Sequence, residues 1–293
     1  MKIEPNAVFF GGGFGDVIHR IYNTDAYTGL DLANVNIPVR IINATNNPFV
    51  SELFYWHPKR RHFRIIDGFP IIMDYYQRRD FEGAKERDRE LVCRAFGIPV
   101  PDEPNTRRVG LPRFHGPIPG EIPGVAGIDE PYLVASFGAA GIHRGKFDDE
   151  AEHNYSRKVP PEIAMRSIVA LAHAVHPLRL FIVTRAEPLL LGSHWNAPEN
   201  VYQSPNLTIP DTLNLIRGAS GFIGSFSALS QFAWFERKPN VILYPPDHAD
   251  WQTPGGGYTF GASFSETLAL PYFGNREANA NLDQIVDHFS DHI

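Results

Sequence analysis

Apolar positions along the chain fall into short β-rich runs separated by stretches of helical spacing, the order that a βαβ fold requires. Residues 7–10, Val39-Arg40-Ile41-Ile42-Asn43 and Phe63-Arg64-Ile65-Ile66 read as strands. Helical spacing covers residues 49–56, and again 81–96, where a charged amphipathic run ends at Gly97 with Pro99 beyond it. The pattern then stops. Pro99, Pro101, Pro104, Pro112, Pro117, Pro119, Pro123 and Pro131, with glycines between them, exclude regular helix or central strand. A second series begins with a strand over 132–137 and a helix over 162–175, with Pro160-Pro161 at its first turn, where proline is tolerated. It continues with a strand over 180–184, a helix over 210–218, a strand over 221–224 and a helix over 228–235. A strand over 241–244, cut off by Pro245-Pro246, and a helix over 282–289 close it. The pattern predicts an α/β protein with parallel sheets in two domains, 1–125 and 126–293, the Pro/Gly-rich linker starting at about residue 99 within the first. Two such domains imply a cleft between them.

Composition narrows the class. A hydrophobic content of 43% with 12% aromatic residues is globular. No apolar run approaches the roughly 18 residues of a membrane span, and the N-terminus lacks a secretory apolar region. The single cysteine, Cys93, excludes an internal disulfide and fits a reducing cytosol. Its setting, Leu91-Val92-Cys93-Arg94-Ala95, is that of a small buried hydrophobe. The histidines show no zinc spacing, so no structural metal is expected. The net charge of −6 is unevenly placed: residues 1–125 carry 16 basic and 15 acidic side chains, and the remainder 11 and 18. A general nucleic-acid binder would be more basic.

The first candidate chemistry lies in Phe9-Phe10-Gly11-Gly12-Gly13-Phe14-Gly15-Asp16-Val17-Ile18. A strand breaking into glycines and then an amphipathic run reads as strand, tight turn and helix start. Gly12, Gly13 and Gly15 form the loop, but Asp16 stands where a dinucleotide fingerprint would have its third glycine. Two readings of Asp16 stay open: an N-cap, and a base facing the crevice outside a strand's carboxyl end.

In the second half several groups fall at carboxyl ends of strands, where they could converge on one phosphate. Arg144 and Lys146 follow the 132–137 strand, Arg157 and Lys158 precede a helix, and Thr184-Arg185-Ala186-Glu187 ends another strand. Gly224-Ser225-Phe226-Ser227-Ala228 is a small-residue turn into a helix, offering hydroxyls and free amides to an anion. Asp148-Asp149-Glu150 reads as a solvated acidic loop. The sharpest basic cluster, Lys59-Arg60-Arg61 within 57–64, follows the aromatics Phe54, Tyr55 and Trp56. It suits an anionic acceptor, a phosphorylated saccharide or DNA, or is simply a solvated turn. Arg78-Arg79 carries the same ambiguity.

The order of these signals resembles a known family. Gly15-Asp16-Val17-Ile18-His19 looks like a G-D-V/I element, and Arg157-Lys158-Val159-Pro160-Pro161-Glu162 like a K-x-W-P-x-E element. Thr184 to Glu187 occupies the place of a T-G-x-x-E strand end. Residues 207–216 are similar to a T-s-L-x-e-L-a-x-L-I helix, and residues 224–239, with Ser225, Ser227 and Gln231, track a G-x-D-[ST]-G-x-x-H-x-A…P block. The chain thereby resembles, over nearly its whole length, the heptosyltransferase-like glycosyltransferases, which have the two-Rossmann GT-B architecture facing across a cleft. The departures lie in the donor site. Phe226-Ser227-Ala228 and Gln231 stand where the family has Asp-[ST]-Gly and a following His, and Val159 where it has Trp.

The resemblance implies an inverting, metal-independent transfer of a sugar from a nucleotide-sugar donor to an acceptor hydroxyl of a saccharide or glycolipid. Asp16 is then the base. Lys158, Arg144, Thr184, Arg185, Glu187, Ser225, Ser227 and Gln231 form the donor side, and Lys59, Arg60 and Arg61 an acceptor-side patch. Donor identity is open. Two alternatives stand beside it: a phage-type enzyme glycosylating hydroxymethylated DNA bases, and a non-catalytic nucleotide- or sugar-binding relative. No cofactor is expected beyond the nucleotide sugar as co-substrate, and the location expected is cytoplasmic with peripheral membrane contact allowed.

Overall fold

The computed structural model describes residues 7–10, 14, 15, 17, 18, 32, 35–43, 48–67, 130–137, 161–184, 198–205, 207–225, 227–244, 267–271 and 277–290. The chain divides into two compact units, Met1–Gly116 and Pro117–Ile293. The expected helix over 81–96, Cys93, Arg78-Arg79 and the acidic loop at 148–150 lie outside the described residues. So does nearly all of the proline-rich stretch.

The first unit contains β1 (Ala7–Phe10), β2 (Val39–Asn43), α1 (Pro48–Tyr55), a 3-10 turn (Arg60–His62) and β3 (Phe63–Asp67). The three strands pair in the order β1-β2-β3, all parallel, with Phe10 beside Asn43 and Asn43 beside Asp67 at one edge. The hydrophobic run after the glycine-rich loop does begin a helical turn: Phe14, Gly15, Val17 and Ile18 are helical, and Val17 and Ile18 are fully buried. They join a core of Val8, Val39, Ile41, Val50, Leu53 and Phe54. Phe14 meets Phe49 of α1 with ring centroids 5.1 Å apart, and Phe54 meets Phe63 of β3 at 4.8 Å.

The second unit contains β4 (Tyr132–Ser136), α2 (Pro161–Ala174), β5 (Arg179–Thr184), β6 (Val201–Pro205) and α3 (Ile209–Gly218). It continues with β7 (Gly221–Ser225), α4 (Ala228–Phe235), β8 (Asn240–Tyr244), β9 (Thr267–Pro271) and α5 (Glu277–Ser290). Its sheet runs β6-β5-β4-β7-β8-β9, and every pair is parallel. Counted from β4 as the first strand, this is the order 3-2-1-4-5-6 of a complete doubly wound dinucleotide-type fold. The central strands Tyr-Leu-Val-Ala-Ser and Gly-Phe-Ile-Gly-Ser are buried at every position, as strands covered on both faces must be. Alternate residues serve opposite faces. Leu133, Ala135, Leu180, Ile182, Ile223, Val241 and Leu243 pack with Ala164, Ile168 and Leu171 of α2 and Ile285 and Phe289 of α5. On the other face, the Tyr132 hydroxyl donates to the Leu215 carbonyl of α3 at 2.8 Å. Burial pushes that hydroxyl up to about 12.

Two strands, β6 and β9, go beyond the sequence reading. Both lie at the outer edges of the sheet and end in proline. An edge position tolerates proline and polar side chains, as in the Val-Tyr-Gln-Ser-Pro of β6, which lacks the apolar run of its central neighbours; β9 is a short Leu-Ala-Leu run closed by proline. Polar links secure the helices. Asn200 Nδ2 donates to the carbonyls of Ala172 and Leu178, each at 2.8 Å. Arg217 of α3 makes a two-pronged pair with Glu236 after α4, at 3.1 and 2.9 Å.

Candidate active site

In a doubly wound sheet, ligands bind outside the carboxyl ends of the strands, at the point where strand order reverses. Here that point lies between β4 and β7, from which β5-β6 extend one way and β8-β9 the other. The two strands pair with Ser136 beside Gly224. A β-carbon at Gly224 would stand 2.0 Å from the Ser136 carbonyl oxygen, a backbone atom that cannot swing aside. Glycine is thus required for the two strands to approach at the switch point.

The next residue, Ser225, is fully buried, and its hydroxyl has no hydrogen-bond partner. The carbonyl oxygen of the buried Gln231 side chain, in α4, is likewise unpartnered. Buried polar atoms without partners are rare, and at the carboxyl edge of such a sheet they are groups a ligand can satisfy. The N-terminus of α4 also lies here and carries the partial positive charge of a helix start. Its first turn is partly self-satisfied. Ser227 is the N-cap: its side-chain oxygen accepts from the Ser230 amide at 3.5 Å, and Ser230 Oγ accepts from the Ser227 amide at 2.9 Å. This reciprocal capping box occupies two of the amides that the sequence had suggested were open to an anion. The Ala228 and Leu229 amides are the first-turn donors that it leaves unused.

The start of α3 follows β6 at the same edge but has the opposite character. Thr208 caps it, accepting from the Asp211 amide at 3.2 Å and donating its hydroxyl to Asp211 Oδ2. Asp211 Oδ1 is buried without a partner. This carboxylate repels a phosphate, so of the two helix starts only that of α4 suits one. Asp211 is absent from the expected site. The signal for it was the Thr-x-x-Asp spacing of a capping box.

Of the other expected site residues, Thr184 ends β5 at the carboxyl edge, its backbone paired with Pro205. Gly15 is half-buried in the helical turn that follows β1. Asp16, Gly12, Gly13, Arg144, Lys158, Arg185 and Glu187 lie outside the described residues. Lys59, Arg60 and Arg61 are at the amino edge of the first sheet, immediately before β3. The glycine-rich loop leaves the carboxyl edge of β1. Parallel strands of five residues separate the two edges by roughly 17 Å, so the basic turn and the loop do not share an edge. Among the described residues, no group of three or more His, Cys, Asp or Glu side chains could hold a metal ion. Among them, too, no helix is long and apolar enough to cross a membrane.

No family model matches the chain, and no curated protein matches its sequence. Solved structures do match. The E. coli heptosyltransferase WaaC with ADP is 13% identical and aligns over 98% of each chain with a TM-score of 0.53. The E. coli ADP-heptose lps heptosyltransferase II is 10% identical over 97% of this chain and 98% of its own, with a TM-score of 0.56. A glycosyl transferase family 9 protein from Veillonella parvula is 11% identical over 100% and 96%, with a TM-score of 0.53. At such identities the likeness is one of fold, and over nearly its whole length the chain has the GT-B fold of these heptosyltransferase-type glycosyltransferases.

Proposed function

We propose that the protein is an inverting, metal-independent glycosyltransferase that moves a sugar from a nucleotide-sugar donor to an acceptor hydroxyl of a saccharide or glycolipid. The observation that carries this reading is the second unit's switch point, where the unpartnered Ser225 hydroxyl and the start of α4 lie beside the close β4–β7 approach. The whole-chain GT-B fold supports it.

In this reaction Asp16 takes the proton of the acceptor hydroxyl. The acceptor oxygen bonds to the anomeric carbon as the bond from that carbon to the diphosphate breaks, and the nucleoside diphosphate leaves with the electron pair. A single in-line displacement inverts the centre. Lys158, with Arg144 or Arg185, neutralises the developing charge, while Ser225 and the amides of α4 orient it. Lys59, Arg60 and Arg61 take no part in this step.

The test begins with calorimetric titration of ADP, GDP, UDP and CDP against wild type and Lys158→Ala. One nucleotide should bind, and the variant should bind it roughly 10- to 100-fold more weakly, as expected for one charge-assisted contact. Asp16→Asn should lower turnover by roughly 100- to 10,000-fold and leave donor binding intact. Unchanged turnover would remove Asp16 from the role of base. A second reading, a non-catalytic nucleotide- or sugar-binding relative, is favoured by the capping box across α4 and by Gln231 in place of the family's histidine. Nucleotide binding without transfer to any saccharide, glycolipid or hydroxymethylated-DNA acceptor would establish it instead.

A further inference from the structure

Among the described residues, the exposed large hydrophobic side chains are Ile37, Tyr55 and Trp56, at 42%, 60% and 39% exposure. They are not scattered. Tyr55 and Trp56 are in edge-to-face contact at 5.2 Å, and the Arg60 guanidinium lies over the Tyr55 ring, 5.8 Å from its centre. Lys59 Nζ donates to Asn36 Oδ1 at 3.3 Å, which brings Ile37, the next residue, to the same turn. Beneath the turn, the buried His57 holds it in place. His57 Nδ1 accepts from the Lys59 amide at 2.9 Å, and the ring packs against Phe54 and Phe63.

Among the described residues, the charges of the turn meet neutral groups. Lys59 meets an amide oxygen, Arg60 an aromatic ring, and Arg61 the imidazole of His62 at 3.3 Å. Among the described residues, none pairs with a carboxylate. Three cations ringed by exposed aromatic and aliphatic groups thus sit on a chain of net charge −6, at the sheet edge away from the glycine-rich loop.

We infer that this surface docks the protein on an anionic lipid membrane, Ile37, Tyr55 and Trp56 entering the headgroup region and Lys59, Arg60 and Arg61 contacting lipid phosphates. Indole and phenol rings beside basic side chains suit the membrane interface, where one end of the ring is apolar and the other wet. A single-stranded nucleic acid would bring the same phosphates, but it binds by stacking bases on open ring faces. Here Arg60 covers one face of Tyr55, and Ile37 offers no ring to stack on. On a chain of net charge −6, a local cluster of three cations is the kind of surface that an anionic bilayer attracts. The inference goes beyond the proposed reaction and does not rest on it.

The test is sedimentation of the full chain with vesicles of phosphatidylcholine alone or mixed equally with phosphatidylglycerol, at low and high salt. Binding should require phosphatidylglycerol and weaken as salt shortens the screening length from about 10 Å at 0.1 M to about 3 Å at 1 M. Each cation near the surface contributes roughly fivefold to partitioning, so Arg60→Glu with Arg61→Glu should reduce it at least about 25-fold. Emission from Trp56 supplies a second readout on a near-native chain: brominated lipid should quench wild type, and Trp56→Phe should remove that quenching. Absence of binding to the mixed vesicles overturns the inference. So does binding that the charge reversals leave unchanged in a variant of unaltered thermal transition, or quenching that survives Trp56→Phe. Binding of a single-stranded oligonucleotide through Arg60 and Arg61, without vesicle binding, overturns it in favour of nucleic acid.

Discussion

At Gly224 a single added carbon would meet the Ser136 carbonyl oxygen at 2.0 Å, so Gly224→Ala must push apart the two strands that define the switch point. It is expected to cost about 1–3 kcal/mol in urea denaturation, as overpacking does, and to weaken nucleotide binding in the same variant. Ser225 is expected to behave in the opposite sense. Its hydroxyl is buried and unpartnered without ligand, so Ser225→Ala removes an unsatisfied group and should leave stability unchanged or slightly raised. If the hydroxyl meets the donor's phosphates, the same variant should bind the nucleoside diphosphate about 3- to 10-fold more weakly. A stability loss with unchanged affinity would mark Ser225 as a packing residue. Ser227 is a cap, and Ser227→Ala should cost about 1 kcal/mol through the start of α4.

Between elements, the hydroxyl of Tyr132 joins β4 to α3. Its ionisation is pushed up to about 12 by burial, against 10.0 for the free side chain. The native state therefore holds this proton more tightly than the unfolded chain does. The contribution is fully present below about pH 10 and is lost as pH rises toward about 12, amounting to roughly 3 kcal/mol at two pH units. Denaturation followed from about pH 9 to about pH 12 should show this loss in wild type. Tyr132→Phe should lack that portion of it while starting roughly 1–3 kcal/mol less stable, because the Leu215 carbonyl loses its donor. The Arg217–Glu236 pair ties α3 to the end of α4 in a similar way. Burial lowers the ionisation of the neighbouring Lys238, with Glu236 opposing the shift and Arg217 adding to it.

On the scale of the molecule, the proposed donor edge and the proposed membrane surface belong to different units and different strand ends. Saturation with the cognate nucleoside diphosphate, at about 100 times its Kd, should stabilise the protein by about 2.7 kcal/mol. Hydrogen exchange should locate the added protection around Ser136, Ser225 and the first turn of α4. Vesicles should instead protect the turn at Lys59–Arg61. Protection of both regions by the nucleotide alone would contradict this separation. The unequal charge of the two halves of the sequence belongs to the same picture, because the less acidic first half carries the cationic turn at Lys59, Arg60 and Arg61.

Local pattern alone determined most of the elements. Val39–Asn43, Ala228–Phe235 and the central strands were legible because buried parallel strands and amphipathic helices write their periods into the apolar positions. The edge strands β6 and β9 were not: a strand hydrogen-bonded on one side needs no continuous apolar run, as in Val-Tyr-Gln-Ser-Pro, and the Leu-Ala-Leu of β9 is a short run closed by proline. The Gly224-Ser225-Phe226-Ser227-Ala228 turn announced itself by composition, but its sequence could not reveal that Ser227 and Ser230 consume each other's amides. Strand order was beyond sequence as well: it is a matter of which nonlocal pairs form, and the 3-2-1-4-5-6 order places the switch point between strands far apart in the chain, where Ser136 stands beside Gly224. The basic turn shows the same division. Residue type made Lys59, Arg60 and Arg61 cationic, whereas the parallel pairing of β1, β2 and β3 decided that they stand at the edge away from the glycine-rich loop. Side-chain chemistry and local period are properties of neighbours in sequence; proximity at a site is a property of the fold.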